Sequence, residues 1–358
     1  MLLQYDVQSP MSRPTGGTGL AVAGMSVELA HRGHEVFVST QIAQDDWYEC
    51  AGVTMAPIGW RDGDEVVAKL QSLCTEVNAD VAIVLNHVWI ASVLRPVAKT
   101  SSRWLLWTHN FDEPWVHRLQ QPEVQASWDQ IIFVSRTQHD FYKSKYDNLR
   151  FVRSGCFVMH NSLSSIMVSD DWNATKERGP VVAYTSMADR GLPFLLQVWP
   201  QIRAAIPDAE LWVFSPMINY SQELIVDPVQ YPEWYRQMLA LEGVVYDGWQ
   251  SHAELARKLT QVRVLANCNY EVPETFCLIN VEAMARGCSV VTSNIGAIPE
   301  VVMGNARVLS EADPVTWGKV IVESLLSWDA ISASQRRDWV NETYDIRNSV
   351  DGLLSRLV

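Results

Sequence analysis

The chain has 358 residues, 48% of them hydrophobic and 19% charged, with a formal net charge of −13 at pH 7. That length predicts two domains of roughly 150 to 200 residues, each with its own core, and the negative balance excludes bulk nucleic-acid binding by the molecule as a whole. The longest apolar runs are strand-sized, and no basic segment followed by an apolar one opens the sequence, so a cytoplasmic protein is expected.

In chain order, the first expected strand is Leu2–Asp6. The turn Pro14-Thr15-Gly16-Gly17-Thr18-Gly19 follows it and opens a helix running to Ala30, with Gly33 as its stop. Glycines there let backbone approach a phosphate or sugar closely. A dinucleotide site is the rival reading, but G-x-G-x-x-G fails at Val22, and the next strand, Val36–Thr40, ends without an acid for a ribose. Further strands are expected at Val81–Leu85, Trp104–Thr108 and Ile131–Ser135, giving the rhythm of a parallel sheet with crossover helices. The polar stretch Asn161–Pro180 breaks that rhythm and is read as the linker. A second series follows: Val181–Thr185, a helix over Leu192–Ile206, then Glu210–Phe214, Val244–Tyr246, Val262–Ala266 and Ser289–Ser293. Near the end of the chain, Ile346, Val350, Leu353, Leu354 and Leu357 recur at helical spacing within Trp339–Val358.

Residues 271–300, EVPETFCLINVEAMARGCSVVTSNIGAIPE, are the most informative stretch. The apolar segment ending at Arg286-Gly287 predicts a helix beginning near Phe276. Its unpaired N–H groups, at Phe276, Cys277 and Leu278, would suit a diphosphate. Glu274 precedes that turn. At ~1.5 Å rise per residue Glu282 lies about one and a half turns inside the helix, where a carboxylate can accept both hydroxyl hydrogens of a ribose.

The ordered combination of E-x7-E, EAMARG, a strand and G-x-I-P-E resembles glycosyltransferase family 4, a retaining family. The resemblance implies the α/β GT-B fold, two Rossmann-like domains facing each other across a cleft. The expected divisions are residues 1–165 (acceptor side), 166–338 (nucleotide-sugar binding) and 339–358, a helix packing back on the first domain. It implies a metal-independent transfer from a nucleoside diphosphate sugar to an acceptor hydroxyl, with no cofactor beyond that co-substrate. Glu274 would hold hydroxyls of the donor sugar and Glu282 the ribose, while Gly16, Gly17, Thr18 and Gly19 match the family's first loop. The segment Val181–Leu192 resembles the one carrying two cations. Arg190 fills the second position as the expected clamp on the leaving diphosphate, whereas Ser186 stands where an arginine is usual. His109, after the strand Trp104–Thr108, matches a histidine facing the donor sugar, with Trp107, Phe111 and Trp115 around it in sequence.

Other features read as structural. Asp62-Gly63-Asp64 is a D-x-D explained by a turn and a helix cap rather than a metal. The six cysteines lack metal spacing and are expected to be reduced core thiols. The cluster Lys143, Lys145, Arg150, Arg153 is read as a solvated rim, the alternative being contact with an anionic lipid or acceptor at a membrane periphery. The acceptor, whether glycan, lipid-linked or another hydroxyl, is left open. Two other functions remain beside the transferase: a nucleotide-sugar epimerase of the same fold, and a catalytically weak sugar-nucleotide or glycan-binding protein.

Overall fold

The computed structural model describes residues 16–40, 46–58, 63–168, 177–215, 236 and 239–357. The expected first strand Leu2–Asp6, Pro14, Thr15, Asp62 and part of the expected linker lie outside them. The described residues form two compact α/β units, one of 16–162 with 346–357, the other of 163–345.

In the first unit, α1 (Gly17–His31) is followed by β1 (Phe37–Thr40), β2 (Tyr48–Cys50) and β3 (Val53–Pro57). Strand β3 pairs with β1 in parallel and with β2 antiparallel. Sequence reasoning missed this hairpin. Its two-residue turn, Ala51-Gly52, has positive φ at both positions (54° and 77°), the conformation that matches strand twist in tight hairpins. Next come α2 (Gly63–Val77), β4 (Val81–Leu85), α3 (Ile90–Leu94), β5 (Arg103–Thr108), α4 (Pro122–Ala126), β6 (Gln130–Phe133), α5 (Arg136–Lys145) and β7 (Cys156–Val158). Strands β4 to β7 form a parallel sheet in chain order. Its core buries Trp104, Trp128, Phe133 and Tyr142 completely or nearly so. Trp128 also donates Nε1–H to the Val88 carbonyl (2.7 Å), so its polar end is satisfied.

The second unit contains β8 (Val181–Tyr184), α6 (Leu192–Ala205), β9 (Glu210–Val213), β10 (Val244–Tyr246), α7 (His252–Leu259), β11 (Val264–Asn267), α8 (Leu278–Ala285), β12 (Ser289–Ser293), α9 (Ile298–Val302), β13 (Arg307–Leu309), α10 (Pro314–Leu326) and α11 (Ala330–Thr343). Its six strands run parallel in the order β10-β9-β8-β11-β12-β13. The chain winds outward from β8 to β10, then returns to start again at β11. Strands β8 and β11 therefore flank the switch point, where loops leaving the carboxyl ends part to either side and open a binding crevice. Strands β8, β11 and β12 are buried along nearly their whole length, which is why they read as largely apolar runs. Trp199 and Trp317 fill the core beside them.

The expected terminal helix Trp339–Val358 is divided. Trp339 to Thr343 finish α11, and Tyr344 stops that helix: its ring is 1% exposed, packs against Phe276 and Trp339, and donates its hydroxyl to the Val301 carbonyl (2.6 Å). A separate helix, α12 (Ile346–Leu357), joins the first unit, where Val350 and Leu353 are buried and Arg32 of α1 pairs with Asp351. Ile346 lies against Gly24 of α1. Among the described residues no helix is long and apolar enough to cross a membrane.

Candidate nucleotide-sugar site

The loop after β8, residues 185–191, carries Ser186 and Arg190. Tyr184 donates its hydroxyl to the Met187 carbonyl (2.6 Å), folding the loop into a turn closed by Arg190 N–H on the same carbonyl (3.0 Å). Gly191 then has φ 105°, and a Cβ there would meet the Cys268 carbonyl oxygen at 2.3 Å. Only glycine lets this turn lie so close to the backbone beyond β11. Ser186 is half-buried within the turn.

Beyond β11, Asn269 organises the second loop. Its Oδ1 accepts the N–H of Glu271 and Val272, and its Nδ2 donates to the Val272 carbonyl (2.7 Å) and to Glu274 Oε1 (3.2 Å). Arg190 Nη1 donates to that same carboxylate oxygen at 3.0 Å. The residues expected to serve the diphosphate and the donor sugar thus meet as a half-buried ion pair. The backbone of Glu274 is gripped as well: Ala297 N–H donates to its carbonyl (2.8 Å), and Gly296, at φ 56°, approaches so closely that a Cβ would be 2.3 Å from that oxygen. Both glycines and Asn269 were absent from the sequence-derived site. Gly296 was visible in G-x-I-P-E only as a turn.

Helix α8 begins at Leu278, two residues later than expected. Cys277 caps it in the left-handed region (φ 72°), which turns the chain sharply and leaves Phe276 outside the helix, buried against Tyr344. The helix-opening amides are therefore those of Leu278 and Ile279. Cys277 is held from beneath by Asn267, whose Nδ2 lies 3.0 Å from its Sγ and 3.2 Å from Asn280 Oδ1, and Asn280 in turn donates to Thr292 (3.2 Å). Burial pushes the Cys277 thiol well above its usual range, with the Glu274 charge adding to the shift.

Glu282, one turn into α8, is 4% exposed. Its Oε1 lies 3.4 Å from Nε2 of His252, itself 4% exposed and 3.0 Å from Ser164 Oγ. His252 is placed by an N-cap: Ser251 caps α7 by accepting Glu254 N–H (3.2 Å), making His252 the first helical residue. Burial raises the Glu282 carboxyl to about 8 and lowers the His252 imidazole to about 4, the nearby Arg286 charge depressing the latter further. The two groups are close enough for an ion pair, yet both are neutral at pH 7. Loss of hydration outweighs attraction at 3.4 Å, and a helix N-terminus also disfavours an imidazolium.

In the first unit, His109 sits just beyond β5. Asn86 Oδ1 accepts its backbone N–H (2.7 Å), Asn161 Oδ1 is 3.1 Å from its Nε2, and the Trp107 ring lies 4.8 Å away. Burial lowers its imidazole to about 4, so it is neutral at pH 7. Gln138 fixes the adjoining strand end: its Nε2 donates to the carbonyls of Thr108 (3.1 Å) and Asn110 (2.8 Å) while its Oε1 accepts Val134 N–H (2.8 Å). Phe111 packs on Phe141 rather than on His109, and Trp115 is 45% exposed. Gly16 caps α1, and Gly17, Thr18 and Gly19 form its first turn. Gly63 and Asp64, from the D-x-D, open α2. In the basic cluster, Lys145 pairs with Asp112 and Arg150 with Asp147 (2.8 Å), while Arg153 donates to the Ala126 carbonyl (2.8 Å).

Residues 179–326 match the family described as Glycosyl transferases group 1. No curated protein matches the chain. Among solved structures, sucrose-phosphate synthase from Thermosynechococcus elongatus is 16% identical with a TM-score of 0.73, covering 99% of this chain and 97% of that one. WaaG, a glycosyltransferase involved in lipopolysaccharide biosynthesis, is 13% identical (TM-score 0.69; 98% and 97% covered). Anabaena HepE, in complex with UDP and glucose, is 13% identical (TM-score 0.73; 96% of each chain). The chain has the GT-B fold, and the stretch similar to group 1 glycosyltransferases, residues 179–326, falls within its second unit.

Proposed function

We propose that this chain moves a sugar from a nucleoside diphosphate sugar to an acceptor hydroxyl, with retention of anomeric configuration and without a metal. The observation that carries the reading is the meeting of Arg190 and Glu274 at the switch point of the second unit, beside the opening turn of α8 and the buried carboxyl of Glu282. A guanidinium and unpaired helix amides suit a diphosphate, and a buried carboxyl suits a ribose diol. Two of the solved neighbours, both HepE complexes, hold UDP-glucose or UDP with glucose, which supports a nucleotide-sugar donor here.

As the sugar bond loosens toward an oxocarbenium ion, charge gathers on the departing phosphate. Arg190 and the amides of Leu278 and Ile279 take up that charge, so their contacts strengthen in the transition state and lower the barrier. The phosphate accepts the proton of the attacking hydroxyl on the same face, which gives retention. Glu274, held through Asn269 and the Gly296 turn, keeps two lone pairs for sugar hydroxyls. In the first unit, the neutral imidazole of His109 can either donate or accept a hydrogen bond.

A screen of nucleoside diphosphate sugars for thermal stabilisation tests donor binding, since a ligand at one hundred times its dissociation constant adds about 2.7 kcal/mol. Nucleotide release that requires an acceptor and persists in EDTA, with an unchanged anomer by NMR, is the expected result. The occurrence of Ser186 in place of a second cation favours one other reading, a binder that turns over weakly or not at all. Binding without acceptor-dependent release would establish it.

A further inference from the structure

We infer that His252 is a positioning residue for the ribose-binding carboxyl of Glu282, and that the donor nucleotide binds with loss of a proton from that carboxyl. The inference rests on the donor reading above. It begins from a geometric oddity: Glu282 is almost fully buried, yet among the described residues no lysine or arginine lies within ion-pair distance of it. The group that does face it is the His252 imidazole, on a different helix. An uncompensated buried carboxylate costs several kcal/mol, so in the empty site the group is a neutral acid, in accord with the direction that burial gives its titration.

The charged groups on the surrounding elements make contacts elsewhere. At the C-terminal cap of α8, Arg286 donates to the Ile166 carbonyl and acts on His252 by charge. On α11, which packs against α8, Arg336 donates to the Cys288 carbonyl (3.2 Å) and Arg337 to the Val168 carbonyl (3.3 Å). On α9, Glu300 acts on Tyr344. Strands β11 and β12 contribute Asn267, Thr292 and Ser293 at this end, none of them charged at neutral pH. The proton balance at Glu282 is thus set by the carboxyl, His252 and Ser164.

A ribose diol changes that balance. Its two hydroxyls each have a hydrogen to donate, and a carboxylate accepts both, whereas a carboxylic acid keeps one oxygen as a donor. Binding therefore selects the ionised form, and the O–H bond of Glu282 breaks with its proton passing to solvent. His252 supplies the compensating contact. Its Nε2 stands between Ser164 Oγ at 3.0 Å and Glu282 Oε1 at 3.4 Å, so the neutral tautomer with hydrogen on Nε2 donates to Ser164 in the empty site. A small swing brings the same N–H onto the new carboxylate. Oε1 is then anchored, and the remaining lone pairs face the diol.

The test is calorimetric titration of UDP, with GDP, ADP and 2′-deoxy-UDP run alongside, at pH 7.5 to 9 in buffers of differing ionisation enthalpy. Above pH 7.5 the terminal phosphate is already ionised. With the carboxyl at about 8, affinity for the nucleotide that binds should rise about fourfold across this window, with release of about three-quarters of a proton at pH 7.5. Glu282→Gln should abolish both the rise and the release. His252→Ala should displace the rise to higher pH, because the carboxylate has lost its donor, and His252→Gln should restore it, with thermal melts confirming that each variant is folded. Tight binding with a flat profile and no proton release, or a His252→Ala profile that overlays the wild type, overturns the inference while leaving the donor reading intact. Failure of all four nucleotides to bind overturns both.

Discussion

The two units carry comparable sheets but build their strand ends from different chemistry. Beyond β5 in the first unit, His109 is held by Asn86 and Asn161 while Gln138 fixes the chain on either side, all neutral, with an imidazole that stays neutral across ordinary pH. Beyond β8 and β11 in the second, an ion pair, a buried acid and two glycine-tight turns gather within two loops and one helix. Neutral amides fix a shape with little dependence on salt or pH. Charges give stronger recognition of an anionic ligand, at the expense of sensitivity to both. At these strand ends, the half-buried ion pair and the buried acid both lie in the unit to which a diphosphate is assigned.

The sharpest way to break that comparison is to remove the charge itself. Arg190→Ala should lower turnover about a hundredfold or more, the scale for loss of one transition-state donor, with a smaller change in donor affinity. If only the Michaelis constant rises, the guanidinium is a docking contact. Gly296→Ala is expected to come next. A Cβ cannot stand 2.3 Å from the Glu274 carbonyl, so the loop must shift, which should destabilise the fold by about 1–3 kcal/mol and lower activity, read by denaturant melts and initial rates. Unaltered melting and rates would mean that the grip on Glu274 is slack.

A third outcome contrasts two buried groups, one from each unit, by pH. His109 has a folded value of about 4 against 6.5 unfolded, so the unfolded chain binds its proton first and stability is lost as pH falls from 6.5 toward 4. Glu282 runs the other way. Its folded value of about 8 exceeds the ordinary 4.5, so its contribution is full below 4.5 and is lost as pH rises toward 8. His109→Asn should flatten the acid limb of a stability profile and Glu282→Gln the alkaline limb. A profile that neither substitution alters would remove the contrast. The smallest effect is expected from Ser186→Arg, which should tighten nucleoside diphosphate binding severalfold and steepen its salt dependence if the turn after β8 faces phosphate. Weaker binding would mean that the space is filled, and no change that Ser186 points elsewhere.

Much of the second unit was legible because its central strands β8, β11 and β12 are buried nearly throughout and read as largely apolar runs. The three-residue strands β7 and β13 escaped, although β10, equally short, did not. The β2–β3 hairpin escaped too, since Ala-Gly is a weaker turn signal than Asn-Gly. Within the candidate site, Glu274, Glu282 and Arg190 stood out as charges in a patterned stretch. Asn269 did not, because its role comes from bonds to residues two to five positions away that only the folded loop displays. Nor did His252, which shares no motif with Glu282 and meets it through the packing of two helices. The helix start was misplaced because a left-handed cysteine was not foreseeable, φ > 0 being rare outside glycine, asparagine and aspartate.

The attachment of α12 to the first unit has a consequence for synthesis. That unit is discontinuous in the chain, since its last helix is translated only after the whole second unit. On the ribosome α1 must wait with the surface that will receive Val350 and Leu353 uncovered, while the second unit has every described strand it needs before α12 emerges. The order of maturation is therefore expected to invert the order of translation.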